Sequence, residues 1–239
     1  MEIKVGCCGT AGLSLKNYSK IFPIVELQST FYRLPKEKTA LSWREEVEKD
    51  FCFTLKAFQA ITHPSDSPTW RRVKKPKGDG YLKPTEENFK EWDKTLKIVE
   101  ILKGEYLVVQ LPPSFKFNEE NLKNLKNFFS SCKRICKIGI EFRDNSWFKD
   151  ELSSILEDLN LVHIVDPLVN KPLTSLEDYY FRLHGLGKRL YHYKYSEEDL
   201  KRLLEYLKNL KASRVYVFFN NLNMREDAIK LISLLKKEV

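Results

Sequence analysis

The sequence predicts a single α/β domain folded as a (β/α)8 TIM-type barrel, with a long basic loop after the third strand. Eight apolar runs bounded by turn residues alternate with segments of helical periodicity, a pattern typical of parallel sheets. Right-handed crossovers then allow a doubly wound sheet or a closed barrel, and eight strands in 239 residues favour the barrel. No glycine-rich phosphate loop follows the first strand, which counts against a dinucleotide-binding sheet. No linker divides the chain, so one domain is expected over residues 1–239.

The predicted elements alternate along the whole chain. Strands are expected at Ile3–Gly9, Ile24–Leu34, Phe51–Phe58, Tyr106–Pro112, Lys137–Arg143, Val162–Asp166, Tyr179–Gly185 and Arg214–Asn221. Helices are expected near Lys36–Lys49, Thr85–Lys103, Asn118–Cys132, Ser146–Leu159, Ser196–Leu210 and Met224–Lys237. Apolar residues recur at helical spacing between Phe89 and Val99, and Ser196-Glu-Glu-Asp199 has the pattern of a helix N-terminus.

Composition and charge restrict the classes of function. Hydrophobic residues make up 42% of the chain and aromatic residues 13%, which indicates a packed globular protein. The start, Met1-Glu-Ile-Lys-Val, lacks a basic segment followed by an apolar run, and no stretch reaches the length of a membrane span. We therefore expect a cytoplasmic protein with no membrane partner. The formal charge of +8 favours anionic partners, whether phosphates, nucleic acid or acidic metabolites.

Two connections are longer than a minimal barrel requires. The segment from Gln59 to Pro84 is rich in Pro, Lys and Arg, and it predicts either a basic lid over the active face or a solvated, mobile loop. The segment from Leu186 to Tyr195 carries Tyr191, Tyr193 and Tyr195 at a spacing of two. These tyrosines predict either a groove that stacks bases or sugars or a short additional strand.

The fifth strand ends in a cluster of charge. Alternation of side chains puts Ile138 and Ile140 on one face and Gly139, Glu141 and Arg143 on the other. An acid and a base on a buried face are costly unless they pair with each other or bind something. The two charges are therefore either a structural ion pair or part of a site.

Other strands end in the same way, at the carboxyl edge where TIM barrels build their active sites. Alternation places the following side chains at this mouth: Glu26, Gln28, Thr30, Thr54, Lys56, Gln110, Glu141, Arg143, Asp166, Arg182, His184, Asn220 and Asn221. To bury so many polar groups without a ligand or solvent would be expensive. The sequence therefore predicts a binding or catalytic site at the mouth.

The residue types at the mouth indicate acid/base chemistry on an anion. The candidates for proton transfer are Glu141, His184, Asp166 and Glu26. The cations that would hold a carboxylate or phosphate are Lys56, Arg143 and Arg182. A divalent metal held by His184, Glu141, Asp166 and His63 is the alternative. Histidines are few and cations crowd the same face, so we expect neither a metal nor another cofactor.

Short motifs along the chain match one known family in order. They are Phe22-Pro23, Glu26, Ser29-Thr-Phe-Tyr32, Pro35, Lys56 with Thr62-His63, Gln110-Leu-Pro-Pro113, Glu141-Phe-Arg143 with Ser146-Trp147, Asp166, Arg182-Leu-His-Gly185, Tyr193 with Tyr195-Ser196, and Phe219-Asn-Asn221. With them, the chain from Gly6 to about Ala228 resembles the DUF72 (YecE-like) family of uncharacterised proteins. The resemblance implies a TIM-type barrel, and it completes the set of expected substrate-binding residues: Lys56, Arg143, Arg182, Gln28, Tyr32, His63, Gln110, Trp147, Tyr193, Asn220 and Asn221.

The chain departs from the family pattern at two positions. The family usually has Asn where this chain has Gln28, and often His where it has Asp144. The family barrel is also distantly similar to the barrels of xylose isomerase and endonuclease IV. The clustered histidine and carboxylate metal ligands of those enzymes are not recognisable in this sequence, so that analogy concerns the fold alone.

These observations predict an enzyme that acts on a small phosphorylated or carboxylated substrate, sugars included, by general acid/base chemistry at the mouth. One alternative is a nucleic-acid-binding or repair protein, in which the basic loop and the tyrosines grip a strand and the mouth receives an extruded nucleotide. A second alternative is a non-catalytic scaffold whose mouth is filled by mutual ion pairs.

Overall fold

The structure is a computed structural model that describes residues 1–72 and 78–237. Eight parallel strands form one sheet in the order β6-β5-β4-β3-β2-β1-β8-β7. They are β1 (Glu2–Cys8), β2 (Ile24–Leu27), β3 (Cys52–Lys56), β4 (Tyr106–Gln110), β5 (Lys137–Glu141), β6 (Leu161–His163), β7 (Asp178–Leu183) and β8 (Arg214–Phe219). Beyond the end of β6, a parallel bridge between Val165 and Phe181 joins the two edges of the sheet. The fold is therefore a nearly closed TIM-type barrel, as the sequence predicts.

Helices connect the strands and cover the outside of the barrel. They are α1 (Leu15–Ser19), α2 (Ser29–Tyr32), α3 (Glu37–Glu45), α4 (Gln59–Thr62), α5 (Glu86–Leu102), α6 (Glu119–Ser131), α7 (Leu152–Asp158), α8 (Glu197–Lys208) and α9 (Met224–Lys236). Short 3-10 helices lie at Pro68–Arg72 and Asn145–Trp147. The long helices begin at side-chain caps: Thr85 caps α5, Asn118 caps α6, and Ser196 forms a capping box with Asp199 at α8.

Three predicted elements differ from the structure. The second strand ends at Leu27, because Thr30 donates to the carbonyl oxygens of Leu27 and Lys56 and turns the chain into α2. The helix predicted from Ser146 begins only at Leu152, after the 3-10 turn. The segment from 186 to 195 forms no strand.

The core lies in two layers, one on each side of the sheet. Ile138, Ile140 and Phe142 join the outer layer beneath the helices, as alternation predicts. The interior layer is aromatic in its lower half, where the ring centroids of Tyr106 and Tyr216 lie 5.0 Å apart. Side chains therefore fill the half of the interior nearer the amino-terminal ends of the strands, and the mouth lies at the other end.

Gly139 serves the packing of the interior. A Cβ atom there would lie 2.5 Å from Cδ1 of Ile164, which is part of the interior layer. The glycine therefore makes room for this isoleucine, and any larger side chain would displace it.

The amino-terminal end of the barrel is closed by ion pairs. Lys4 Nζ lies 3.0 Å from Oε1 of Glu105, and Arg214 Nε lies 3.2 Å from Oδ1 of Asp178. The Tyr216 hydroxyl donates to Glu105 at 2.8 Å. Polar groups thus occupy this end of the barrel, where they pair with one another.

The described part of the long connection after β3 packs onto the barrel. Ala60, Ile61 and Leu82 are fully buried, and the indole of Trp70 packs edge-on against Phe58. The segment from Gln59 to Pro84 is predicted to be a basic lid or a solvated loop, and its residues 73–77 lie outside the described residues. Within residues 1–72 and 78–237, no helix is long and apolar enough to cross a membrane.

Candidate functional site

The centre of the mouth is a guanidinium buried between two carboxylates. Arg182 on β7 is 0% exposed. Its Nη2 lies 3.0 Å from Oε1 of Glu26 on β2, and its Nη1 contacts Oε2 of Glu141 on β5. Charges buried this deeply are tolerated only when they are paired and hydrogen-bonded. Closure of the barrel supplies that pairing, since the three residues are far apart in the sequence.

Three cationic side chains converge on one neutral oxygen. The Oε1 atom of Gln110, at the end of β4, lies 3.0 Å from Lys56 Nζ, 3.0 Å from Arg182 Nη1 and 3.2 Å from Arg143 Nη2. An amide oxygen has two lone pairs, so three donors exceed its capacity. The Nε atom of Arg143 is buried and has no partner among the described residues. This part of the mouth has more donors than acceptors.

Glu141 is held in its charged form. Burial raises the pKa of its carboxyl, but the positive charges of Arg143 and Arg182 and the bond from His184 outweigh burial and hold that pKa well below its usual range. Arg143 Nη2 lies 3.1 Å from Oε1 of Glu141, and His184 Nε2 lies 2.8 Å from the same oxygen. A carboxylate with these partners organises charge and is a weak base.

The contacts of His184 favour the neutral imidazole with its proton on Nε2. Burial lowers its pKa in spite of the opposing charge of Glu141. The amide nitrogen of Asn220 lies 3.0 Å from Nδ1, which therefore accepts, and Nε2 donates to Glu141. Asn220 thus fixes the orientation and the tautomer of the ring.

Two groups at the mouth titrate near neutral pH. Burial raises the pKa of the Asp166 carboxyl to about 6, although it accepts hydrogen bonds from the backbone N–H groups of Leu168 and His184. Burial, and then the positive charge of Arg182, lower the pKa of the Lys56 ammonium to about 7. Groups with such values are the ones suited to exchange protons at physiological pH.

A cavity of about 270 Å³ opens beside Asp166. Its charged and titratable lining consists of Glu141, Arg143, Asp166 and His184, and Asn145 and Asn170 add amide groups. Its apolar lining consists of Phe142, Phe148, Ile164, Val165, Val169 and Leu190. The mouth is therefore lined by ion pairs and is not completely filled by them. The scaffold alternative requires a mouth that ion pairs fill.

Several predicted binding residues lie away from this cavity. Trp147 is 0% exposed and stacks between Phe115 and Phe142, at centroid distances of 5.1 and 4.5 Å. Asn221 is buried and donates to Asp227 Oδ2 at 2.7 Å. Trp147 and Asn221 are therefore buried side chains that do not themselves line the cavity.

The remaining predicted residues divide between the site and its surroundings. Gln28 contacts Glu26 and lies within 3.5 Å of Arg182, so it belongs to the central network. Tyr32 is 48% exposed at the rim. His63 is buried and hydrogen-bonds to Thr62 at 2.8 Å. Tyr193 donates to Asp199 at 2.7 Å and packs against Gly185, which lines the cavity.

The tyrosine strip does not form a continuous stacking surface. Tyr195 is 1% exposed, and its hydroxyl accepts from the N–H of Gly185 at 2.8 Å. Tyr193 is partly exposed, and Tyr191 is 39% exposed, with its ring 5.6 Å from that of His184.

Two further interior residues, Tyr180 and Cys8, belong to the network and are not among the predicted site residues. The Tyr180 hydroxyl donates to Oε2 of Glu26 at 2.7 Å, and Cys8 Sγ lies 3.4 Å from Oε1 of the same carboxylate. Tyr180 precedes Arg182 by two residues on one strand, so alternation already places it on the inner face.

The residues at the mouth do not fit a divalent-metal site. The Arg182 guanidinium occupies the space between Glu26 and Glu141, and the imidazole of His184 is bonded on both nitrogens. Among residues 1–72 and 78–237, no group of three or more His, Cys, Asp or Glu side chains is placed to hold a metal ion.

Fold and site together define a TIM-type barrel with a charged carboxyl-terminal mouth. The sequence pattern of the family called protein of unknown function DUF72 matches residues 8–239, and the chain belongs to this family. The chain is 25% identical to the UPF0759 protein YunF of Bacillus subtilis over 87% of its own length and 80% of that protein.

Solved structures share the fold. A DUF72 family protein from Enterococcus faecalis superposes with a TM-score of 0.78 at 21% identity and covers 98% of both chains. One from Thermotoga maritima gives a TM-score of 0.74 at 24% identity, over 99% of this chain and 100% of that chain. Endonuclease IV from Thermus thermophilus gives 0.54 at 16% identity over 99% and 100% of the two chains, a likeness of fold alone.

Proposed function

We propose that this chain is an enzyme that binds a small phosphorylated or carboxylated substrate at the barrel mouth and transfers protons to or from it. The observation that supports the proposal best is the convergence of Lys56, Arg143 and Arg182 on the single oxygen of Gln110. An anionic oxygen is a stronger acceptor than an amide, and two guanidinium groups bind carboxylates and phosphates in a defined geometry.

The proton-transfer role falls to Asp166 in this proposal. Its pKa of about 6 leaves both protonation states populated near neutral pH, whereas Glu141 stays charged. Asp166 lines the cavity together with Arg143, so a bound anion would lie beside it. Glu141, Glu26 and His184 then hold the cations and the cavity wall in place.

The first test is ligand-induced thermal stabilisation. Inorganic phosphate, sulfate and small carboxylates, followed by mixtures of metabolites, are expected to raise the Tm of the wild type in a saturable way. At one hundred times Kd the gain is about 2.7 kcal/mol, which corresponds to about 5 to 10 °C for a chain of this length. Arg143→Met should abolish this shift, because it removes an anion donor that is partly exposed and therefore replaceable.

The matched control is Arg189→Met. Arg189 is exposed on the loop beside the mouth, so the control makes the same change in net charge outside the site. An equal response of the two variants to every anion would show that the stabilisation is a general salt effect. Asp166→Asn should keep the shift and lose turnover once a substrate is found.

The nucleic-acid alternative is supported by the net charge of +8. Under it, single- or double-stranded oligonucleotides bind at low salt, and the affinity falls steeply as salt rises because counterions are released from the phosphates. Neutralising Arg71, Arg72, Lys74 and Lys75 together should flatten that dependence. If no oligonucleotide binds at low salt, the alternative is excluded, and the charge then serves only small anions.

A further inference from the structure

Lys56 is the only lysine that is buried in the part of the chain that the structure describes. It ends β3 and is 6% exposed. Its one hydrogen-bond acceptor is Gln110 Oε1, at 3.0 Å, and its Nζ lies 4.0 Å from the ring centroid of Phe31. No carboxylate oxygen lies within 4.0 Å of Nζ among the described residues, whereas Lys4 and Lys137 each contact one.

These surroundings favour the neutral amine. The loss of water around Nζ and the nearby Arg182 charge disfavour the ammonium and outweigh the charges of Glu26 and Glu141, which favour it. The resulting pKa of about 7 leaves a large fraction unprotonated near neutral pH. The neutral amine has a free lone pair and is a nucleophile toward carbonyl carbon. A buried lysine beside other cations is the environment in which enzymes activate this group.

The neighbours of Lys56 restrict which carbonyl compound would bind. Arg143 Nη2 and Arg182 Nη1 share the acceptor oxygen with Lys56 Nζ, so all three nitrogens surround one point. A carboxylate that replaces the Gln110 oxygen as the acceptor of the two guanidinium groups would bring its own neighbouring carbon next to Nζ. In a 2-oxo acid, that neighbouring carbon is the carbonyl.

We propose that Lys56 forms a Schiff base with a small 2-oxo acid whose carboxylate is held by Arg143 and Arg182. The inference rests on the proposed function, since it uses the same anion site. The Nζ lone pair attacks the carbonyl carbon and forms a C–N bond, which gives a carbinolamine. The carbonyl oxygen then leaves as water with the two amine protons, and an imine remains, without any change of oxidation state.

The test is reductive trapping at neutral pH. The full-length protein is incubated with glyoxylate or pyruvate and sodium cyanoborohydride, which reduces the imine to a stable secondary amine. Intact mass is expected to rise by one molecule of acid less one oxygen atom, and peptide mapping is expected to place the adduct on Lys56. Acetone at the same concentration should give no adduct, because it has no carboxylate for the arginines.

Two variants remove the amine in different ways. Lys56→Arg keeps the charge and Lys56→Met keeps the length of the side chain, and both should abolish trapping. Lys4→Arg is the matched control, because Lys4 is partly buried at the opposite end of the barrel and its substitution should leave trapping unchanged.

The pH dependence of trapping in the wild type needs no variant. The rate of trapping should reach half of its maximum near pH 7, and not near the ordinary lysine pKa of about 10.

The outcomes separate this inference from the proposed function. Adducts spread over exposed lysines, or trapping that persists in Lys56→Arg, would overturn it. If 2-oxo acids raise the Tm of the wild type but leave no adduct, the anion site stands and the Schiff base does not. If they neither stabilise nor add to the protein while phosphate stabilises it, the site takes anions of another class and this inference fails. If no anion stabilises the protein, the proposed function fails as well.

Discussion

Arg182→Met is expected to lower the free energy of unfolding by about 3–5 kcal/mol, the usual cost of removing one partner from a buried ion pair. The guanidinium is fully buried between Glu26 and Glu141, so its loss leaves buried negative charge without compensation. Urea denaturation followed by circular dichroism measures the change, and an unchanged m-value would show that the native fold is retained.

The two carboxylates provide an internal control for this result. Glu141 keeps Arg143 at 3.1 Å after the substitution, whereas Glu26 keeps only neutral partners such as Tyr180. Glu26→Gln in the Arg182→Met background should therefore restore more stability than Glu141→Gln does. Equal rescue by both, or a loss below 1 kcal/mol for the single variant, would contradict the view that Arg182 compensates Glu26.

Trp147→Ala is expected to cost about 3 to 5 kcal/mol of unfolding free energy, which is typical of a large aromatic removed from a core. The indole stacks on Phe115 and Phe142, and its Nε1 donates to the carbonyl of Phe115 at 2.6 Å. Thermal and urea unfolding measure the loss. Trp147→Phe should cost less, because it keeps a ring in the stack.

The same variants decide between packing and ligand contact for Trp147. Trp147→Phe should bind phosphate as the wild type does, since the indole is fully buried behind Phe142 and does not itself line the cavity. A Trp147→Phe protein of near-native stability that no longer binds the anion would place this residue at the site after all.

The strands and the polar composition of the mouth follow from the sequence, because alternation decides which face of a strand a side chain occupies. Glu26, Glu141 and Arg182 are all inward, as alternation predicts. Alternation does not decide which of them pair. That depends on the register and closure of the barrel, which bring residues of β2, β5 and β7 within hydrogen-bonding distance.

The role of a single side chain at the mouth could not be predicted from the sequence, because it depends on the contacts that the side chain makes in the folded protein. Asp166 and Glu141 are both acids at strand ends, yet burial raises the pKa of one and two arginines lower the pKa of the other. Trp147 follows the charged cluster in the chain but turns away from it in the 3-10 turn. The sequence shows that such groups are close together, and the packing determines what each of them does.

One backbone bridge closes the barrel between its two edge strands, β6 and β7. Within the part of the chain that the structure describes, a single bridge pair, Val165 and Phe181, connects the edge of β6 to that of β7, whereas β1 and β8 share six register pairs. Local opening is least costly where few backbone hydrogen bonds must break. Asp166 and Arg182 are the next residues after the two bridge partners, so the weakest connection in the wall of the barrel lies at the mouth. Release of this bridge would separate Asp166, the proposed proton-transfer group, from Arg182 without disturbing any other pair of strands.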